Sequence, residues 1–131
     1  MKKSIILVSL LVLVLGVTVI SFAADENKPD LRPTQKIMQA RLAWLTAMNK
    51  NLDGNRLDLI RKDAKDLEEQ TRKVSEGLPN PLAKELTLAI STLAKDLSLA
   101  AEGNDSATIK RKLGEIKGKC DECHAKIRDK K

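Results

Sequence analysis

Aromatic side chains are almost missing from this 131-residue chain, which has no tyrosine, one phenylalanine and one tryptophan. Phe22 falls in the apolar N-terminal stretch, so Trp44 alone serves the rest of the chain. Proteins that hold single-stranded nucleic acid stack successive bases on aromatic rings, and one tryptophan does not supply such a platform. The formal charge of +6 is spread along the chain rather than gathered in one block, so no nucleic-acid partner is expected. A small core of Leu, Ile and Ala also lacks the buried area that Phe and Tyr provide, so an embedded flat apolar group would add much contact.

Cysteine and histidine are scarce too, with Cys120, Cys123 and His124 accounting for all of both. Two cysteines three apart on a helix cannot staple distant parts of the chain, and helix geometry argues against a disulfide between them. A zinc site wants four ligands, more than these residues offer. No segment alternates polar and apolar residues at period two, so no strand is expected.

The first 23 residues read as an export signal. Lys2 and Lys3 form a positive start, Ile5 to Ile20 is apolar apart from Ser9, Gly16 and Thr18, and Ser21-Phe22-Ala23 offers small residues to a signal peptidase. Cleavage is expected after Ala23, where the polar run Asp25-Glu26-Asn27-Lys28 begins. The competing reading is an uncleaved anchor, since a helix of roughly 20 apolar residues spans a bilayer. No cysteine directly follows the apolar run, so a lipid anchor is not expected. Residues 24–131 then form one small domain in an exported, periplasmic protein, and loss of Lys2 and Lys3 takes its formal charge from +6 to +4.

Four segments carry apolar residues at alternating three and four spacing, the pattern of helices burying one stripe. The first, 33–52, has Met38, Arg41, Leu45, Met48 and Leu52 on one seam, and Asp53-Gly54-Asn55 ends it. The second, 56–75, buries Leu57, Ile60, Ala64, Leu67, Thr71 and Val74; beyond it Gly77 suits a left-handed cap, and Pro79 and Pro81 cannot continue a helix. The third runs to about Ala101, with Leu82, Leu86, Ala89, Ile90, Leu93, Leu97 and Ala100 facing inward. Asp105 or Ser106 caps the fourth, whose seam is Ile109, Leu113, Ile116, Cys120, Cys123 and Ile127. Short connections favour antiparallel neighbours, so an all-α, antiparallel four-helix bundle is predicted, with Asp25–Leu31 as a loose leader.

Cys120-Asp121-Glu122-Cys123-His124 is the C-x-x-C-H pattern of covalent haem attachment. At 100° per residue Cys120 and His124 share a face one turn apart and Cys123 lies to one side, all within one arc. The two thiols can form thioethers to one porphyrin edge while His124 becomes the proximal axial ligand of the iron. A thioredoxin-like dithiol would need a βαβ context that is absent here. One covalent haem c is therefore expected near the C-terminus of the fourth helix.

That placement, at the end of a four-helix bundle rather than near the start of a small globular cytochrome, resembles the class II cytochromes c, the cytochrome c-prime group. The likeness spans residues 24–131 and is sharpest at the two ends. Cys120 to Arg128 is similar to the family's motif followed by a basic residue four after the histidine, which implies that Arg128 lies beside the proximal ligand. Arg41 to Leu52 looks like the family's first-helix pattern, which implies that Arg41 meets a haem propionate and that Leu45 stands over the distal face. An arginine on an apolar seam needs a counter-charge, which a propionate would supply; the alternative is that Arg41 snorkels to solvent.

Leucine at position 45 cannot donate a lone pair, so the resemblance implies five-coordinate iron. Met38 and Met48 share the same seam, and either would be a sixth ligand if the helix sat a turn or two from the inferred register; the alternative is that both fill the core. Two functions follow. The first is electron transfer through the haem iron to a redox partner protein, an acidic one given the basic balance. The second is binding of a diatomic gas such as NO or CO at an open apolar distal face. The lone histidine is already committed, which leaves no acid and base for peroxidase chemistry, so the protein is not expected to be an enzyme. Members of the resembled family often form homodimers through their first two helices.

Overall fold

Prolines, asparagines and one aspartate set the helix boundaries. The structure is a computed structural model that describes residues 32–129. It shows helices α1 (Pro33–Asp53), α2 (Leu57–Glu76), α3 (Pro81–Glu102) and α4 (Ser106–Cys123). α4 runs on into a single π-helical turn, His124–Arg128, closed by the Asp129 N–H donating to the His124 carbonyl at 2.9 Å. Pro33 and Pro81 sit in the first turns of α1 and α3, where a missing N–H costs nothing. Asn80 Oδ1 accepts from the Ala83 N–H at 3.1 Å, and Asp105 Oδ1 accepts from the Thr108 N–H at 2.9 Å. Each satisfies an amide that the first helical turn leaves without a partner. Asp105, rather than Ser106, is thus the cap of α4.

The helix ends correct one expectation. Gly77 has φ −94° and takes no left-handed conformation. The left-handed residues are Asn55 (φ 51°) and Asn104 (φ 55°), each just after a glycine. Around Asn55 the Arg56 N–H donates to Asn51 O at 2.8 Å and the Asn55 N–H to Leu52 O at 3.1 Å. Around Asn104 the Asp105 N–H donates to Ala100 O at 2.9 Å and the Asn104 N–H to Ala101 O at 3.2 Å. These paired bonds are Schellman caps, with asparagine as the residue that tolerates the left-handed region. α2 ends instead with Gly77 and Leu78 bonding back to Val74 and Ser75, ahead of Pro79, and needs no left-handed residue.

The four helices pack against one another within the unit Leu31–Lys131: α1 on α2 and α4, α2 on α3, and α3 on α4. No strand occurs among the described residues. Met48 from α1, Ile60 and Leu67 from α2, Leu97 from α3 and Ile109 and Ile116 from α4 meet in one fully buried core. Removing each such side chain from water contributes about 1.5–3 kcal/mol.

α3 is turned from the expected phase. Leu86, Ile90 and Leu97 are buried as expected, but Leu82, Ala89, Leu93 and Ala100 are half-buried, and Ala83, Thr87, Ser91, Ala94, Ser98 and Ala101 are buried instead. Small side chains bring α3 close to α2, and the Ser91 hydroxyl crosses to donate to the Glu68 carbonyl at 3.1 Å. The expected export signal at 1–23, cleavage after Ala23 and the leader Asp25–Leu31 lie outside the described residues. Among the described residues no helix is long and apolar enough to cross a membrane.

Candidate haem site

Two helices present the same spacing to one another across a cavity. From α1 come Met38, Gln39, Arg41, Leu42 and Leu45; from α4 and its π-helical turn come Lys117, Cys120, Asp121, Cys123 and His124. Positions i, i+3, i+4 and i+7 share one helical face, which is how 38, 41, 42, 45 and 117, 120, 121, 124 come to line opposite walls. Thr87 and Ile90 of α3 also line the cavity. Its volume is about 340 Å³, within the range of cofactor and ligand pockets. Leu42, 66 % exposed, marks the side on which it opens to solvent.

Cys120 and Cys123 are free thiols, half-buried, and His124 is half-buried beside them. Burial pushes the Cys120 thiol up from its ordinary value, and the positive charge of Arg41 opposes that shift. The same burial lowers Arg41, against the two cysteines, which favour its charged form. An arginine so placed remains a cation at neutral pH.

Arg41 is 6 % exposed, so it does not reach out to solvent. Its Nε donates to Gln70 Oε1 of α2 at 2.8 Å, while its Nη2 is buried without a hydrogen-bond partner. A buried N–H donor of a charged group left unpaired costs about 1–3 kcal/mol or more. An anionic oxygen at this wall would satisfy it. The remaining charged pair on the lining is Lys117 Nζ with Asp121 Oδ2, at 2.6 Å.

The residues present fit a c-type haem. Two thiols and one imidazole share one wall, apolar side chains face them, and an unpartnered guanidinium donor waits on the opposite helix. Among the described residues no group of three or more His, Cys, Asp and Glu side chains is gathered as metal ligands. The structure brings six of the sequence-derived candidates together here: Cys120, Cys123, His124, Arg41, Leu45 and Met38. Two others lie elsewhere. Met48 packs in the core at 0 % exposure and does not line the cavity. Arg128 is exposed on the π-helical turn, where its Nε donates to Asp129 Oδ1 at 2.6 Å.

Lys117 and Gln70 were not singled out from the sequence. Lys117 was within reach of pattern reasoning, being seven residues before His124 on the same face. Gln70 was not, because its contact with Arg41 joins two helices and leaves no trace in spacing. Comparison with protein-family models, with curated proteins and with solved structures returned no match.

Proposed function

We propose that this chain is an exported c-type cytochrome: an antiparallel four-helix bundle that holds one covalent haem and passes single electrons to a redox partner. The observation that carries the reading is the cavity whose lining gathers Cys120, Cys123 and His124 of α4 and its π-helical turn with Arg41 of α1, a buried cation with one unpartnered donor. Cys120 and Cys123 would hold the haem through thioethers, and His124 would give its imidazole to the iron from the same turn of helix. Haem supplies the one-electron ferric–ferrous couple, which the protein tunes through axial ligand, burial and charge. Arg41 neutralises an anionic edge of the ligand from α1. Leu45 and Ile90 give the cavity hydrocarbon lining.

Met38 lines the cavity and its thioether is the sixth-ligand candidate that suits a carrier. The presence of Leu45 on the same wall favours a second reading, in which the iron stays five-coordinate and takes a small neutral gas such as NO or CO. Leucine would give such a gas an apolar surface and no hydrogen bond.

Co-expression with haem-attachment machinery, followed by intact mass and absorption spectra with and without carbon monoxide, tests both. Covalent haem and a low-spin spectrum indifferent to the gas support the carrier. A high-spin spectrum that shifts at once with carbon monoxide supports the gas-binding reading. A chain that emerges from the same treatment without haem sinks both.

A further inference from the structure

The cation in the cavity wall is gripped by a neutral group. Gln70 of α2 accepts from Arg41 Nε at 2.8 Å, and its own Nε2 donates to the Ile37 carbonyl at 3.5 Å. Ile37 lies one turn before Arg41 on α1, so a single amide ties the backbone and the side chain of that helix together. Leu42, next in sequence, is 66 % exposed, and the long arginine side chain could otherwise follow the same route to water. With Nε engaged, Arg41 stays 6 % exposed with Nη2 unpartnered.

The neutrality of Gln70 matters as much as its reach. A carboxylate in its place would pair with Arg41 and cancel the charge that the cavity presents. A hydrocarbon would leave Nε without an acceptor and release the side chain. The other ionisable groups on the cavity wall leave that charge in place: Lys117 and Asp121 pair with each other at 2.6 Å, and Cys120, Cys123 and His124 are the attachment residues. From α3 come only Thr87 and Ile90, neither of them charged.

We propose that Gln70 is a positioning residue, which holds Arg41 at the cavity wall as an uncompensated cation for an ionised carboxylate of the ligand in the cavity. The inference rests on the haem reading, in which that carboxylate is a propionate. Gln70 does not line the cavity and acts through Arg41 alone.

The test uses the full chain carrying haem, as wild type, Gln70→Glu and Gln70→Leu. Intact mass reports haem content, circular dichroism the fold, and the midpoint potential is followed against pH. Ionisation of a propionate beside the iron lowers the potential, so its titration appears as a break in that profile. Gln70→Glu removes the net positive charge facing the propionate, and the break moves to higher pH by about one unit, since an opposite charge nearby lowers a carboxyl pKa by 1–3 units. Gln70→Leu moves it in the same direction and answers the question if the glutamate variant does not fold. The same break in every folded, haem-bearing variant overturns the proposal. If the wild type carries no haem, the haem reading falls by itself, and Gln70 is judged on the haem-free chain by exchange of the Arg41 Nε–H in isotope-labelled protein. Exchange about tenfold faster in Gln70→Leu than in wild type upholds the clamp, and equal exchange overturns it.

Discussion

Met38 and Met48 lie on the same face of α1 and serve two different interiors: Met48 packs in the core at 0 % exposure, while Met38 lines the cavity opposite Cys120 and His124. The two substitutions therefore separate stability from spectrum. Met48→Ala empties part of the core and costs about 2–5 kcal/mol in urea unfolding, with the spectrum of the haem-bearing protein unchanged. Met38→Leu keeps volume and costs less than about 1.5 kcal/mol. It converts a low-spin spectrum to a high-spin one if Met38 is the sixth ligand, and leaves the spectrum alone if the distal face belongs to Leu45.

Each helix was readable from sequence to within a residue or so, because its apolar period and its boundary residues agree. The phase of α3 was not. Weighing leucines alone turns that helix toward Leu82, Leu93 and Ala100, whereas the buried stripe includes Ala83, Thr87, Ser91, Ala94, Ser98 and Ala101. Buried hydroxyls are tolerated when backbone carbonyls satisfy them. Thr71 Oγ1 donates to Leu67 O at 2.7 Å, Ser75 Oγ to Arg72 O at 2.6 Å, and Ser91 to Glu68. Size, rather than polarity, decided which face could approach a neighbouring helix. At the site, Cys120, Cys123 and His124 were legible because their chemistry is local. Arg41 was legible as an anomaly on an apolar seam, but its partner Gln70 sits 29 residues away and no period connects the two.

Asn104 carries the turn between α3 and α4 at φ 55°, a region that a side chain with Cβ enters at a cost. Asn104→Ala loses the local tolerance of asparagine without removing that cost, and destabilises the fold by about 1 kcal/mol. Asn104→Gly relieves the steric cost and stays within about 0.5 kcal/mol of wild type, its freedom in the unfolded chain offsetting the gain. Urea midpoints of the pair measure the difference. Equal loss in both would mean that the asparagine side chain, rather than the backbone angle, holds the turn.

Asp105 is held below the usual carboxylate range by hydrogen bonds from Thr108, with Arg111 adding to the shift. Glu122 is lowered in the same direction by Lys126 and Lys119. A carboxylate with a lower pKa in the folded chain than in the unfolded one contributes stability in full above its unfolded value, about pH 4, and loses it as pH falls through the folded one. Asp63 has the opposite sign, since burial raises it and its contribution fades as pH rises through that raised value. Urea midpoints measured from about pH 6 to about pH 3 should fall with acid for the wild type and fall less steeply for Asp105→Asn. Parallel curves for the two would remove the cap of α4 from the acid sensitivity.

Arg41 gives the most direct reading of what the cavity is built to hold. In a chain with no anion beside it, burying the guanidinium with Nη2 unpaired is a cost, and methionine of similar length would avoid that cost while filling the same space. In a chain whose ligand presents a carboxylate there, the same substitution leaves that anion buried and alone. Arg41→Met should therefore change sign with haem. The urea midpoint rises, or holds, in a haem-free background made with Cys120→Ala and Cys123→Ala, and it falls in the haem-bearing protein by an amount matching about 2 kcal/mol. A loss of equal size in both backgrounds would show that Arg41 acts only through Gln70 and the packing of α1 on α2, with no anionic partner in the cavity.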